Sequence, residues 1–113
     1  MAQDRALLGG PLSGAISADK ARAFFAACAN PEKPDDYRMT WCGRFSVPFG
    51  MLLLEATAKG LGQPAPMGVP VAYGSSVGTP ELPVKGLGMG ATAPANLFHF
   101  VSYPGVAFAP GKP

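Results

Sequence analysis

Three side chains carry the soft donors that metal or nucleophilic chemistry requires: Cys28, Cys42 and His99. A zinc site wants four ligands, usually in close pairs such as C-x₂-C. Here the cysteines stand 14 positions apart and the histidine is distant, so no metal is expected. A Cys–His nucleophile pair has suitable residue types. Cys28, however, falls on the apolar face of an expected helix and Cys42 lies beside Trp41, which assigns both to packing. A Cys28–Cys42 disulfide is the open alternative.

Gly86-Leu87-Gly88-Met89-Gly90-Ala91 has the look of a phosphate-binding loop. A dinucleotide fingerprint needs G-x-G-x-x-G between a strand and a helix. The third glycine here comes one position early, and Pro94 stands where the helix would grow, so the stretch reads as a flexible loop. Asp35-Asp36 are consecutive acids in turn chemistry after Pro34 and read as solvated. No catalytic residue and no cofactor is expected, and the chain is expected not to be an enzyme.

The elements that hold these residues are organised around Pro48–Gly60, PFGMLLLEATAKG. Pro48 suits an early helical position because its missing N–H has no partner there anyway. Ser46 is the candidate cap. Phe49, Leu52, Leu53 and Ala56 fall at i, i+3, i+4 and i+7, one apolar face. Met51 and Leu54 spread apolar surface further round the cylinder. Glu55 and Lys59 form an i, i+4 pair, and Gly60 supplies the expected left-handed stop. A helix apolar on more than one side wants burial on more than one side. That makes it either the core helix of a small domain or a helix gripped between this chain and a partner. Its length falls short of the roughly 20 apolar residues a bilayer demands.

A second helix is expected over residues 17–30, SADKARAFFAACAN. Ser17 is the N-cap candidate, Asp19 lies in the first turn, and Ala21, Phe24, Phe25 and Cys28 form its apolar face. Asn30-Pro31 stops it. The two helices are expected to pack as an αα-hairpin with a long link. In that link Tyr37, Trp41 and Phe45 recur every four residues, as a short strand, an irregular aromatic segment or a helical turn. Trp41 beside Arg38 and Arg44 offers a cation–π cluster or an interface anchor, with simple core filling as the plain alternative.

The flanks differ in kind. Residues 1–16 read as a loose N-terminal arm, broken by Gly9, Gly10, Pro11 and Gly14, with Leu7, Leu8, Leu12 and Ile16 as apolar anchors. Residues 60–113 hold ten Gly and nine Pro in 54 positions, with charge only at Glu81, Lys85 and Lys112. Prolines there argue against long helices and central strands. Short extended pieces remain at residues 69–73, 82–84 and 96–103, the last alternating Leu97, His99, Val101 and Tyr103 against Phe98, Phe100 and Ser102. The ending, PGVAFAPGKP, reads as turn plus apolar anchors.

The 113 residues bound the chain to one domain. Its net charge is +2 with the basic residues scattered, which excludes a clustered nucleic-acid footprint. No charged start leads into a long apolar run, so no signal peptide is expected, and two cysteines then suggest free thiols in a reducing compartment. The chain holds 15 Gly and 13 Pro, about a quarter of its length, a fraction close to that of low-complexity chains. Yet it is 48% hydrophobic and only 14% charged, the reverse of a disordered chain. Rich in turns, poor in charge and apolar, it reads as extended chain packed against something.

The expected fold is therefore α+β, small and irregular. It has an arm over 1–16, a two-helix core over 17–60 and a Gly/Pro-rich extended arm over 61–113, with a few short strands, one near 96–103. In composition it resembles the cement, decoration and minor head or tail proteins of bacteriophages. The likeness covers no alignable stretch and carries over no residue. It implies a structural subunit of a virion whose partners are other protein subunits, with no specific nucleic acid and no transmembrane span. Expected interface residues are Trp41, Arg44, Phe98, Phe100, Tyr103 and Phe108. The alternatives are a small accessory subunit of a photosynthetic or respiratory complex, peripheral to its membrane, and a small binding module with one protein partner.

Overall fold

The computed structural model describes residues 2–38, 41–77 and 100–112. Among the described residues it is a small α+β fold of three helices and short antiparallel strands, one helix more than the sequence suggests.

The additional helix, α1 (Ala2–Gly9), lies in the segment expected to be a loose arm. Gly9 and Gly10 end this helix instead of breaking it. The Gly10 N–H donates to Ala6 O at 2.9 Å and the Leu12 N–H to Leu7 O at 3.1 Å, which turns the chain at once. Eight residues make a marginal helix in water. Burial sustains this one, because Leu7 and Leu8, followed by Leu12 and Ile16, supply half of the buried hydrophobic core cluster among the described residues.

A two-residue strand, β1 (Gly14–Ala15), leads into α2 (Ala18–Cys28). Ser17 caps α2 as expected: its backbone is extended (φ −149°, ψ 161°) and its Oγ accepts from the Lys20 N–H at 3.3 Å. Ala21, Phe24 and Cys28 are buried along the expected face, and Phe25 meets Phe45 with ring centroids 5.7 Å apart. The helix ends at Cys28, and the Ala29 N–H closes onto Phe25 O.

Pro34-Asp35-Asp36 is not the turn. The turn comes earlier, at Pro31-Glu32, where Asn30 Oδ1 accepts from the Glu32 N–H at 3.1 Å. It joins β2 (Ala29–Asn30), whose Ala29 is buried, to β3 (Lys33–Tyr37), an antiparallel ribbon in which residues 33–36, both aspartates among them, are exposed.

Helix α3 (Ser46–Gly60) packs against α2, as the expected hairpin requires. Its N-cap is Phe45, in helical conformation and without a side-chain cap, so Ser46 is the first helical residue and not the cap. The left-handed stop is Gly62 (φ +65°), two residues beyond Gly60. The Gln63 N–H bonds Ala58 O at 2.8 Å and the Gly62 N–H bonds Lys59 O at 3.1 Å, the paired bonds of a Schellman ending.

The Gly/Pro-rich region contributes β4 (Met67–Ser75) and β5 (Ser102–Ala109), which pair antiparallel from Met67↔Ala109 to Ser75↔Ser102. The ending that reads as turn plus anchors is thus a strand. The sheet order is β1-β4-β5. Pro70 is tolerated in its middle strand because β1 reaches only Met67 and Gly68, and because the pairing with β5 shifts between Pro70 and Ala72. Gly68 is required by close approach, since a Cβ there would strike the Leu12 carbonyl oxygen. Of the strand expected near 96–103, residues 96–99 lie outside the described residues, as do the expected extended piece at 82–84 and the glycine loop at 86–91.

Candidate functional site

Two features stand out: a buried carboxylate that ties four segments together, and an apolar helix face turned to solvent.

The carboxylate is Asp4, in the first turn of α1, where the helix dipole favours negative charge. It is 6% exposed. Its Oδ1 accepts from the Trp41 indole N–H at 2.7 Å, and its Oδ2 accepts from the Tyr73 hydroxyl at 2.8 Å and the Ser102 hydroxyl at 2.9 Å. The donors come from the turn before α3, from β4 and from β5. Tyr73 Oη and Ser102 Oγ lie 3.2 Å apart, so two hydroxyls converge on one oxygen. Burial opposes ionisation of Asp4, but the bonds from Trp41, Tyr73 and Ser102 outweigh it and hold the carboxyl below its usual range. For Tyr73, burial leads, and the bond to Asp4 and its charge add to it, so the phenol is pushed up. The Arg5 guanidinium sits over the Tyr73 ring, 5.6 Å from its centroid.

A general base works best with a pKa near the working pH. Asp4 moves the other way, and three donors already occupy its oxygens. The geometry is that of a latch closing α1, the α3 entry, β4 and β5 around one charge. No spacing in the sequence links positions 4, 41, 73 and 102, so sequence reasoning had no signal for it.

The second feature is α3. Its inner side is formed by the buried Pro48, Met51 and Ala58 with the partly buried Val47 and Leu54. The face read from the sequence as apolar is a real stripe, but it points outward: Phe49 is 68% exposed, Leu53 57% and Leu52 43%, and Ala56 is also exposed. Phe45, one turn before Phe49, continues the stripe at 48%. Helix α1 and the segment after it fill the core with leucines, so α3 needs to give only one side to this chain.

Among the expected interface residues, Trp41 is half-buried and meets Phe24 edge-to-face, centroids 5.4 Å apart and planes at 77°. Arg44 lies over Phe45, 4.7 Å from its centroid. Phe100 is half-buried, whereas Tyr103 and Phe108 are exposed on β5. Phe98 and His99 lie outside the described residues. Cys28 and Cys42 are both free thiols, the first buried, the second exposed. Burial, reinforced by the Asp4 charge, pushes the Cys28 thiol up to about 11, which leaves it protonated and inert at neutral pH.

A cavity of about 330 Å³ is lined by Gln3, Ala6, Leu7, Ala27 and Arg38. The charged side chain among these, Arg38, donates to Ala26 O at 3.2 Å. Among the described residues no cluster of His, Cys, Asp or Glu is placed to hold a metal ion, and no helix is long and apolar enough to cross a membrane. Comparison with protein families, with curated proteins and with solved structures finds no match to this chain.

Proposed function

We propose that this chain is a structural subunit of a larger protein assembly, of the virion minor or cement type, that binds neighbouring subunits through apolar surface. The observation that carries the reading is the outer face of α3, where Phe49, Leu52 and Leu53, together with the N-cap residue Phe45, form one exposed stripe. Contiguous apolar surface of this kind marks interaction sites. The β4–β5 ribbon supports the same reading, with Val69, Val71, Tyr103 and Phe108 exposed. Two titratable groups among the described residues fit a non-enzymatic role: Asp4 is an engaged, acidic latch and Cys28 a buried, protonated thiol.

The test compares the purified chain with a Phe49→Gln/Leu53→Gln variant by size exclusion with light scattering and by binding of an apolar fluorescent dye. The parent chain should associate and bind dye. The variant should run as a monomer, bind several-fold less dye and keep its circular dichroism. A parent chain that is a monodisperse monomer without dye binding overturns the reading.

A further inference from the structure

We infer that the occupant of the α3 outer face is a second copy of the same chain, with its α3 running antiparallel. The inference rests on the reading of this face as a docking surface and names its partner.

The stripe consists of Phe45, Phe49, Leu52, Leu53, Ala56 and Gly60. All six are exposed, and at helical spacing they fall within about 100° of one another. Their successive separations are 4, 3, 1, 3 and 4, which read the same in both directions. Two copies laid antiparallel about a dyad between Leu52 and Leu53 therefore place every stripe residue opposite another stripe residue. Phe45 meets Gly60 of the second copy, Phe49 meets Ala56, and Leu52 meets Leu53.

The sizes match as well as the positions. The N-terminal half of the stripe is bulky and the C-terminal half small, so reversal sets each ring against a notch. A parallel pair would put ring on ring at one end and leave a gap at the other. Gly60 strengthens the case. Glycine is a poor helix residue, and a Cβ added here would meet nothing within 4 Å, so packing within the chain does not call for it. A ring arriving from a second copy does.

No stripe residue is charged. Glu55 and Lys59 flank it, and the Arg44 guanidinium lies over the Phe45 ring at one end only, so the centre of the stripe carries nothing that opposes self-pairing. The 16 residues span about 24 Å, a length that stays in contact at the shallow crossing angle of paired helices. The exposed stripe offers on the order of 500 Å² per copy, given roughly 200 Å² for a fully exposed large side chain. Both copies together then reach about 1,000 Å², in the range of weak and transient interfaces, and a weak, reversible dimer follows. The isologous contact fits the symmetry most soluble homo-oligomers adopt.

The test is mixed cysteine cross-linking in a Cys42→Ser background. Chains carrying Phe49→Cys are oxidised alone, chains carrying Ala56→Cys alone, and the two together. Opposed positions come within disulfide reach, while like positions are about 10 Å apart along the axis. The mixture should give covalent dimer several-fold above either chain alone. Gly60→Trp, tolerated by the open space around it, should weaken self-association at least tenfold with unchanged circular dichroism. Equal cross-linking of Phe49→Cys with itself indicates a parallel pair and overturns the proposal, as does cross-linking in no combination. If cross-linking fails while Phe49→Gln/Leu53→Gln still abolishes association of the purified chain, the antiparallel α3 pairing falls and the docking surface stands. If that double variant also changes nothing, both fall.

Discussion

The indole N–H of Trp41 donates to Oδ1 of Asp4 across 2.7 Å. Through this bond, and those from Tyr73 and Ser102 to the other oxygen, a residue near the start of the chain holds the entry to α3 and both long strands. Charged hydrogen bonds of this kind contribute about 1.5–3 kcal/mol each, and a buried carboxylate deprived of them would be costly.

Asp4→Asn keeps one acceptor oxygen but replaces the other with a donor, so Tyr73 and Ser102 must turn their hydroxyls to accept. The expected cost is about 1–3 kcal/mol, read from the urea midpoint with Trp41 fluorescence as probe. The pH dependence has a definite sign. The folded pKa of Asp4 lies below its ordinary value. Its stabilising contribution is therefore present above about pH 4, the unfolded value, and is lost as pH falls through the folded pKa. The parent chain should lose stability below about pH 4, and Asp4→Asn should flatten that limb. Equal midpoints and identical acid limbs would show that the latch contributes nothing.

The two glycines at the end of α3 should behave in opposite ways. Gly62 holds φ +65° within the Schellman ending, so Gly62→Ala should destabilise by about 1 kcal/mol. Gly60 has open space around it and lies in helix, so Gly60→Ala should stabilise the isolated chain by about 0.5–1 kcal/mol. Thermal unfolding at low chain concentration reads both. A destabilising Gly60→Ala would contradict the assignment of the stop to Gly62.

Local chemistry made α2 and α3 legible. Ser17 caps where a serine before an apolar-periodic run should, and Ala21, Phe24 and Cys28 bury where the 3.6-residue period puts them. The small α+β class followed from the same reasoning. Helix α1 was hidden because its stability comes from burial of Leu7 and Leu8 and from the Asp4 latch, with donors at sequence separations of 37, 69 and 98. The stripe of α3 was visible as a pattern, but not its direction. Periodicity tells which residues share a face; which face turns inward depends on what else fills the core, and here the leucines of the N-terminal segment fill it. The β4–β5 pairing was obscured by Pro70 and Pro104, which are admitted because one lies beside a register shift and the other on a strand at the end of the sheet order.

The central claim is that the outer face of α3 is covered by a second copy of the chain. Hydroxyl-radical footprinting of the full chain at low and high concentration tests it most directly, because it reads individual side chains. Phe49, Leu52 and Leu53 should lose several-fold in labelling as concentration rises, while the buried Met51 stays low and the exposed Val71 stays high at both. Equal labelling of Phe49, Leu52 and Leu53 at every concentration, with the chain shown to be folded, would contradict the account.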